Sequence, residues 1–154
     1  MIPLAAALVV GLSLPAGAEM TEREGWSVLP TELSHADLLA ATRTAIKANG
    51  LGIVTQAGPT KAAASRGITI PGNTVIGAYN NDFAVRVLGL STAAMIEAPI
   101  RFYVTENLDG TATLSYKQPS TVFAPYMSEG GAELEAIAAE LDEIFAATAA
   151  SAVK

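Results

Sequence analysis

The chain has no cysteine. That excludes disulfides, cysteine nucleophiles, iron–sulfur clusters and thiolate zinc sites. Histidine occurs once, at His35, so no site on a single chain can use two imidazoles. Positive charge is scarce as well: 9 Lys and Arg stand against 15 Asp and Glu, for a formal net charge of −6. An acidic chain without a basic cluster is a poor partner for a phosphate backbone or an anionic membrane, and no nucleic-acid partner is expected. Hydrophobic residues make up 51% of the 154 positions and charged ones 16%. This balance is too apolar for a disordered chain, and the length suits one domain with its own core.

The first segment reads as an address. Ile2 to Leu14 is uncharged and mostly apolar, and Pro15-Ala16-Gly17-Ala18 precedes Glu19. The run is shorter than the ~20 residues that span a bilayer. Ala16 and Ala18 are the small residues a signal peptidase requires, so a leader over residues 1–18 is expected, cut between Ala18 and Glu19. The pattern departs from the usual one in having no Lys or Arg before the apolar core. The expected location is periplasmic or secreted, with no stable membrane insertion after cleavage. Residues 19–154 then form a single domain, which without cysteine must be held together by its core.

Along that domain, Gly25 to Leu29 is a strand candidate. Ser34 caps a helix whose face is Leu38, Leu39, Thr42, Ala45 and Ile46, ended by Asn49-Gly50. Leu51 to Ala57 reads as a strand, Thr60 to Arg66 as a short helix, and Thr74 to Tyr79 as a strand. Asn81 or Asp82 caps a helix with Phe83, Val87, Leu90 and Ala94 on one face. Ile100 to Glu106 and Thr111 to Lys117 form a hairpin around Asn107-Leu108-Asp109-Gly110. In it, Ile100, Phe102 and Val104 face one way, Arg101, Tyr103 and Thr105 the other. Pro119 to Met127 reads as a loop. From Glu129 a long helix buries Leu134, Ile137, Ala138, Leu141, Ile144 and Phe145, and the tail from Ala146 to Lys154 is expected to fray. The mixed order without regular βαβ alternation predicts an α+β fold, one sheet with long helices packed on one side.

Val75 to Tyr116 resembles the domain of unknown function 302 family. The likeness rests on Gly77-Ala78-Tyr79-Asn80 closing a strand, on Glu97-Ala98-Pro99-Ile100-Arg101 leading into the next, and on Glu106-Asn107-Leu108-Asp109-Gly110 at the hairpin. Asn49-Gly50-Leu51 and the Ala-rich segment after Thr60 also fit, and the resemblance covers about residues 25 to 150. Asn81 stands where the family commonly has Pro. The resemblance implies a TBP-like α+β fold, a single curved antiparallel sheet of order β-α-β-β-β-β-α with extra short helices. It implies no catalytic residues and no established activity.

Few residues form a pattern that carries chemistry. His35 sits in a helix first turn with no partners for a catalytic set, and reads as an exposed first-turn residue. Glu106 and Asp109 bracket a turn that lacks the calcium-loop pattern. Met20, Met95 and Met127 are scattered, and Gly50-Leu51-Gly52 precedes a strand where a dinucleotide site needs it to follow one. Neither a metal nor a cofactor is expected, and Arg86 is expected to pair with Asp82. The polar sheet face remains. Arg101, Tyr103 and Lys117, with Tyr79 and Asn80, can converge there on a small anionic or aromatic ligand. Three readings compete. The first is a small-ligand or partner-binding accessory module without catalysis. The second is a structural homo-oligomer using the open face as its interface. The third is an enzyme using Glu97 or Glu106 with Arg101. A pocket enclosing Tyr103, Arg101 and Tyr79 favours the first, a flat apolar face the second, and a buried carboxylate beside Arg101 the third.

Overall fold

In the computed structural model, which describes residues 19–154, the chain runs β1 (Trp26–Ser34), α1 (His35–Ala48), β2 (Gly52–Ala57), α2 (Thr60–Ala64) and β3 (Asn73–Tyr79). It continues with α3 (Asn81–Leu90), a 3-10 turn (Ala94–Glu97), β4 (Ile100–Glu106), β5 (Thr111–Lys117), α4 (Pro119–Phe123) and α5 (Met127–Ala152). The leader expected over residues 1–18, with Ala18 of its cleavage site, lies outside the described residues. The five strands form one antiparallel sheet in the order β1-β5-β4-β3-β2. The α+β expectation therefore holds, with β1 and β2 as the two edges.

Local chemistry sets the elements. Ser34 caps α1, its hydroxyl accepting from Asp37 N at 3.2 Å, and Leu38, Thr42, Ala45 and Ile46 turn inward at helical spacing. Strand alternation sends Ile76, Ala78, Ile100, Phe102, Val104, Ala112, Leu114 and Tyr116 to the same side of the sheet. Leu38 and Ile46 of α1 and Leu134, Ile137, Leu141 and Phe145 of α5 pack into the core with them. Phe102 and Phe145 stack at 4.6 Å between ring centroids, and Tyr116 tilts against both. Ser120 N donates to Asp142 Oδ1 at 2.9 Å and ties α4 to α5.

Several expectations are corrected. β1 does not stop at Leu29 but runs on to Ser34, because Thr31 Oγ1 donates to Ala112 O and Pro30 occupies an edge strand that tolerates a missing N–H. The cap of α3 is Asn80, not Asn81 or Asp82, and the helix stops at Leu90, leaving Ala94 in the 3-10 turn. Most of Pro119 to Met127 is helical, with Pro119 at a first-turn position where its missing N–H costs nothing. α5 begins at Met127 and kinks at Gly131, whose φ of +55 favours glycine. The tail stays helical to Ala152 with Thr148, Ala149 and Ala152 buried. Ala149 and Ala152, one turn apart, join the core there, packing that the small-residue composition does not advertise.

Candidate functional site

Among the described residues no long helix covers the far face of the sheet, yet that face is not flat. β4 and β5 place Arg101, Tyr103 and Lys117 on it, as the alternation requires. The pairing of β5 with β1 sets Trp26 directly opposite Lys117, and that of β3 with β4 sets Val75 opposite Tyr103. These side chains, with Asn73, Glu97, Val122 and the edges of Ile100 and Tyr116, enclose a cleft of about 380 Å³. That lies in the size range of small-molecule sites.

One glycine shapes its wall. Gly77 faces Arg101 across the β3–β4 ladder, and a Cβ on it would collide with Thr55 Oγ1 and the Pro99 ring. The bare backbone lets the Ala98-Pro99 segment lie close over β3, which brings Glu97 to the cleft. Glu97 is half-buried and accepts the Tyr126 hydroxyl at 2.8 Å. That hydrogen bond, with desolvation, pushes the Tyr126 phenol above its ordinary pKa. Ser91 secures the other end of the same turn, accepting Ala94 N at 3.0 Å and donating to Glu129.

Around Trp26 the cleft is cationic. The Lys117 ammonium lies 5.6 Å and the Arg23 guanidinium carbon 5.3 Å from the indole centroid, within reach of a cation–π attraction. Among the described residues, neither of these cations nor Arg101 has a carboxylate within 4 Å. Tyr103 is held by Asn73, whose Nδ2 donates to the phenol oxygen and leaves the phenol proton free. Beside Tyr103 on the same face, Ser115 is 0% exposed and its hydroxyl has no partner among the described residues. Strand alternation puts Ser115 and Thr113 on the polar face of the hairpin, yet neither is open to solvent. Both are buried on an inner strand, Ser115 between Val28 and Tyr103 and Thr113 between Pro30 and Thr105.

Three of the five residues picked from the sequence therefore meet: Arg101, Tyr103 and Lys117. Tyr79 and Asn80 do not join them. Pro99 fills the space over Gly77, between Tyr79 and Val75. Both residues border instead a void of about 30 Å³ on the helix side. Asn80 is spent as a cap, accepting from Asp82 N at 2.9 Å and donating to Gly50 O at 3.1 Å. The sequence reading missed Trp26. The single tryptophan was a signal, but its position opposite Lys117 depends on β1 crossing back to β5, which no local pattern encodes.

The other candidates serve structure. The His35 ring is half-buried, not exposed: it packs on Gly72, and its Nε2 lies 3.4 Å from Thr74 Oγ1. Glu106 accepts Gly72 N, and Asp109 accepts Thr111 N at 2.9 Å and its hydroxyl at 2.6 Å, which hold the Asp109 carboxyl below its usual range. Arg86 pairs not with Asp82 but bidentately with Glu140 of α5, at 2.7 and 2.9 Å. Among the described residues no three His, Asp or Glu side chains come together as metal ligands, and no helix is long and apolar enough to cross a membrane.

Comparison with known proteins adds the following. The family described as "Domain of unknown function DUF302" matches residues 27–151. The crystal structure of an uncharacterized conserved protein DUF302 from Bacillus stearothermophilus is similar with a TM-score of 0.73, covering 86% of this chain and 100% of that chain. The two are 17% identical, so the likeness speaks for the fold alone. No curated protein matches the chain in sequence.

Proposed function

The chain belongs to the DUF302 family, a domain of unknown function, and from that premise we propose that it is an exported accessory module that binds a small molecule without transforming it. The observation that carries this reading is the cleft that gathers Trp26, Arg101, Tyr103 and Lys117 beside an aromatic, largely apolar wall. Its cations have no carboxylate within 4 Å among the described residues, although Glu97 lines the same cleft and the chain as a whole is acidic. A non-catalytic role is supported by the cleft's lining among the described residues, which holds no Ser, Thr or Cys and whose one carboxylate, Glu97, is engaged by Tyr126. The concave face, with Arg101 and Lys117 on it, argues against its use as a flat apolar interface between copies. The negative net charge argues against nucleic acid. Export is supported by the leader-like pattern of residues 1–18.

Native mass spectrometry of protein purified from its own compartment tests the reading. A retained small molecule that is lost in Arg101→Ala is the expected result, and the same spectrum reads the oligomeric state. Empty protein that no small molecule stabilises against heat speaks against it. Mass analysis of the exported pool is expected to find Glu19 at the terminus; an intact Met1 there would refute cleavage.

A further inference from the structure

Building on the binding role proposed above, we infer that the ligand is an aromatic carboxylate, its ring against Trp26 and Tyr103 and its acid group facing Arg101 and Lys117. The argument is a count of free hydrogen-bonding capacity. Arg101 and Lys117 are donors only. The Tyr103 oxygen already takes the Asn73 N–H, so what it offers is its proton. Glu97 accepts, but one of its oxygens is already taken by Tyr126. A group that suits Arg101, Lys117 and the Tyr103 hydroxyl accepts several hydrogen bonds and carries negative charge, which describes a carboxylate.

The walls specify the remainder of the molecule. Trp26 and Tyr103 line the cleft with aromatic surface, while Val75 and Val122 add apolar surface. A compact inorganic anion would leave those walls uncovered, and a purely aliphatic acid would forgo the aromatic contacts. The volume of about 380 Å³ admits one or two fused rings with a short acid arm.

The test is isothermal titration of the whole domain with four probes: 2-naphthoate, the isosteric 2-naphthamide, cyclohexanecarboxylate and inorganic phosphate. 2-Naphthoate is expected to bind at least about tenfold more tightly than 2-naphthamide, since a hydrogen bond to a charged group contributes that much or more. Cyclohexanecarboxylate and phosphate are expected to be weaker than 2-naphthoate. Arg101→Gln is expected to erase the difference between acid and amide, with circular dichroism unchanged because the side chain is exposed. Fluorescence of Trp26, the sole tryptophan, is expected to change on binding and to report the same affinity. Equal binding of acid and amide would overturn the carboxylate inference while leaving a binding cleft in place. Phosphate binding as tightly as 2-naphthoate would overturn its aromatic half. No binding by any probe would overturn the inference entirely; a retained ligand of another kind would then still support the binding role, and empty protein would remove both.

Discussion

The two faces of the sheet are built by the same two-residue alternation and differ in what lies above them. On the helix side, Phe102, Val104 and Leu114 are fully buried under α1 and α5, and their neighbours are side chains of like chemistry. On the open side, Arg101 and Tyr103, immediate neighbours of Phe102 and Val104 and one pleat away, line a cleft with Lys117, the neighbour of the buried Tyr116. The first face is filled by packing and the second is organised by hydrogen bonds and charge. Stability is therefore expected to reside in the residues of one face, and recognition in their neighbours on the other.

Alternating substitutions can break or sharpen that contrast. The largest effect is expected from Phe102→Ala, which removes the ring stacked on Phe145 and should cost about 3–5 kcal/mol in denaturant unfolding. A loss below about 1 kcal/mol would mean that the helix side is not the core. Gly77→Val comes next. Its side chain must displace Pro99 and Thr55, so a cost of about 1–3 kcal/mol is expected together with weakened ligand binding, because the wall that presents Glu97 shifts. Ser115→Ala, adjacent to the core residue Leu114, should change stability by less than about 1 kcal/mol, and in the stabilising direction if any, since it removes a buried hydroxyl without a partner. A clear destabilisation would show that the hydroxyl is satisfied in solution.

The smallest effect is expected at the α3–α5 surface. Arg86 holds the Glu140 carboxyl below its ordinary pKa, chiefly by their hydrogen bonds. A carboxyl whose folded pKa is lowered contributes stability above its unfolded pKa, and that contribution disappears as pH falls through the folded value. Thermal melts of the wild type and Glu140→Gln should thus differ slightly near neutrality and converge in acid. A gap that widens in acid would reverse the sign. Both partners are exposed, so the gap should also shrink with added salt.

What was legible in the chain follows from range. Ser34 caps α1, the Asn107–Gly110 turn closes the hairpin and Ile100, Phe102 and Val104 share a face, because each depends on residues a few positions apart. Arg101, Tyr103 and Lys117 could be placed together for the same reason: they belong to one hairpin. Tyr79 was grouped with them by strand parity alone, and Asn80 by its place beside Tyr79. The parity of Tyr79 suits the open face, but Pro99 fills the space next to it, and Asn80 gains more as a helix cap than as a solvated side chain. Arg86 has Asp82 within reach on its own helix and turns instead to Glu140, whose carboxylate offers it a two-pronged fit across the helix interface.

The sequence by itself determined the elements, their apolar faces, the hairpin and its two-sided chemistry, because periodicity, caps and turns act over short stretches of backbone. The tertiary structure decided which distant strands lie side by side. It set Trp26 of β1 against Lys117 of β5, buried Ser115 between Val28 and Tyr103 and packed the small residues at the end of α5 into the core. Those outcomes depend on how separate surfaces fit in three dimensions, and that fit is a property of the assembled layers that no single segment contains.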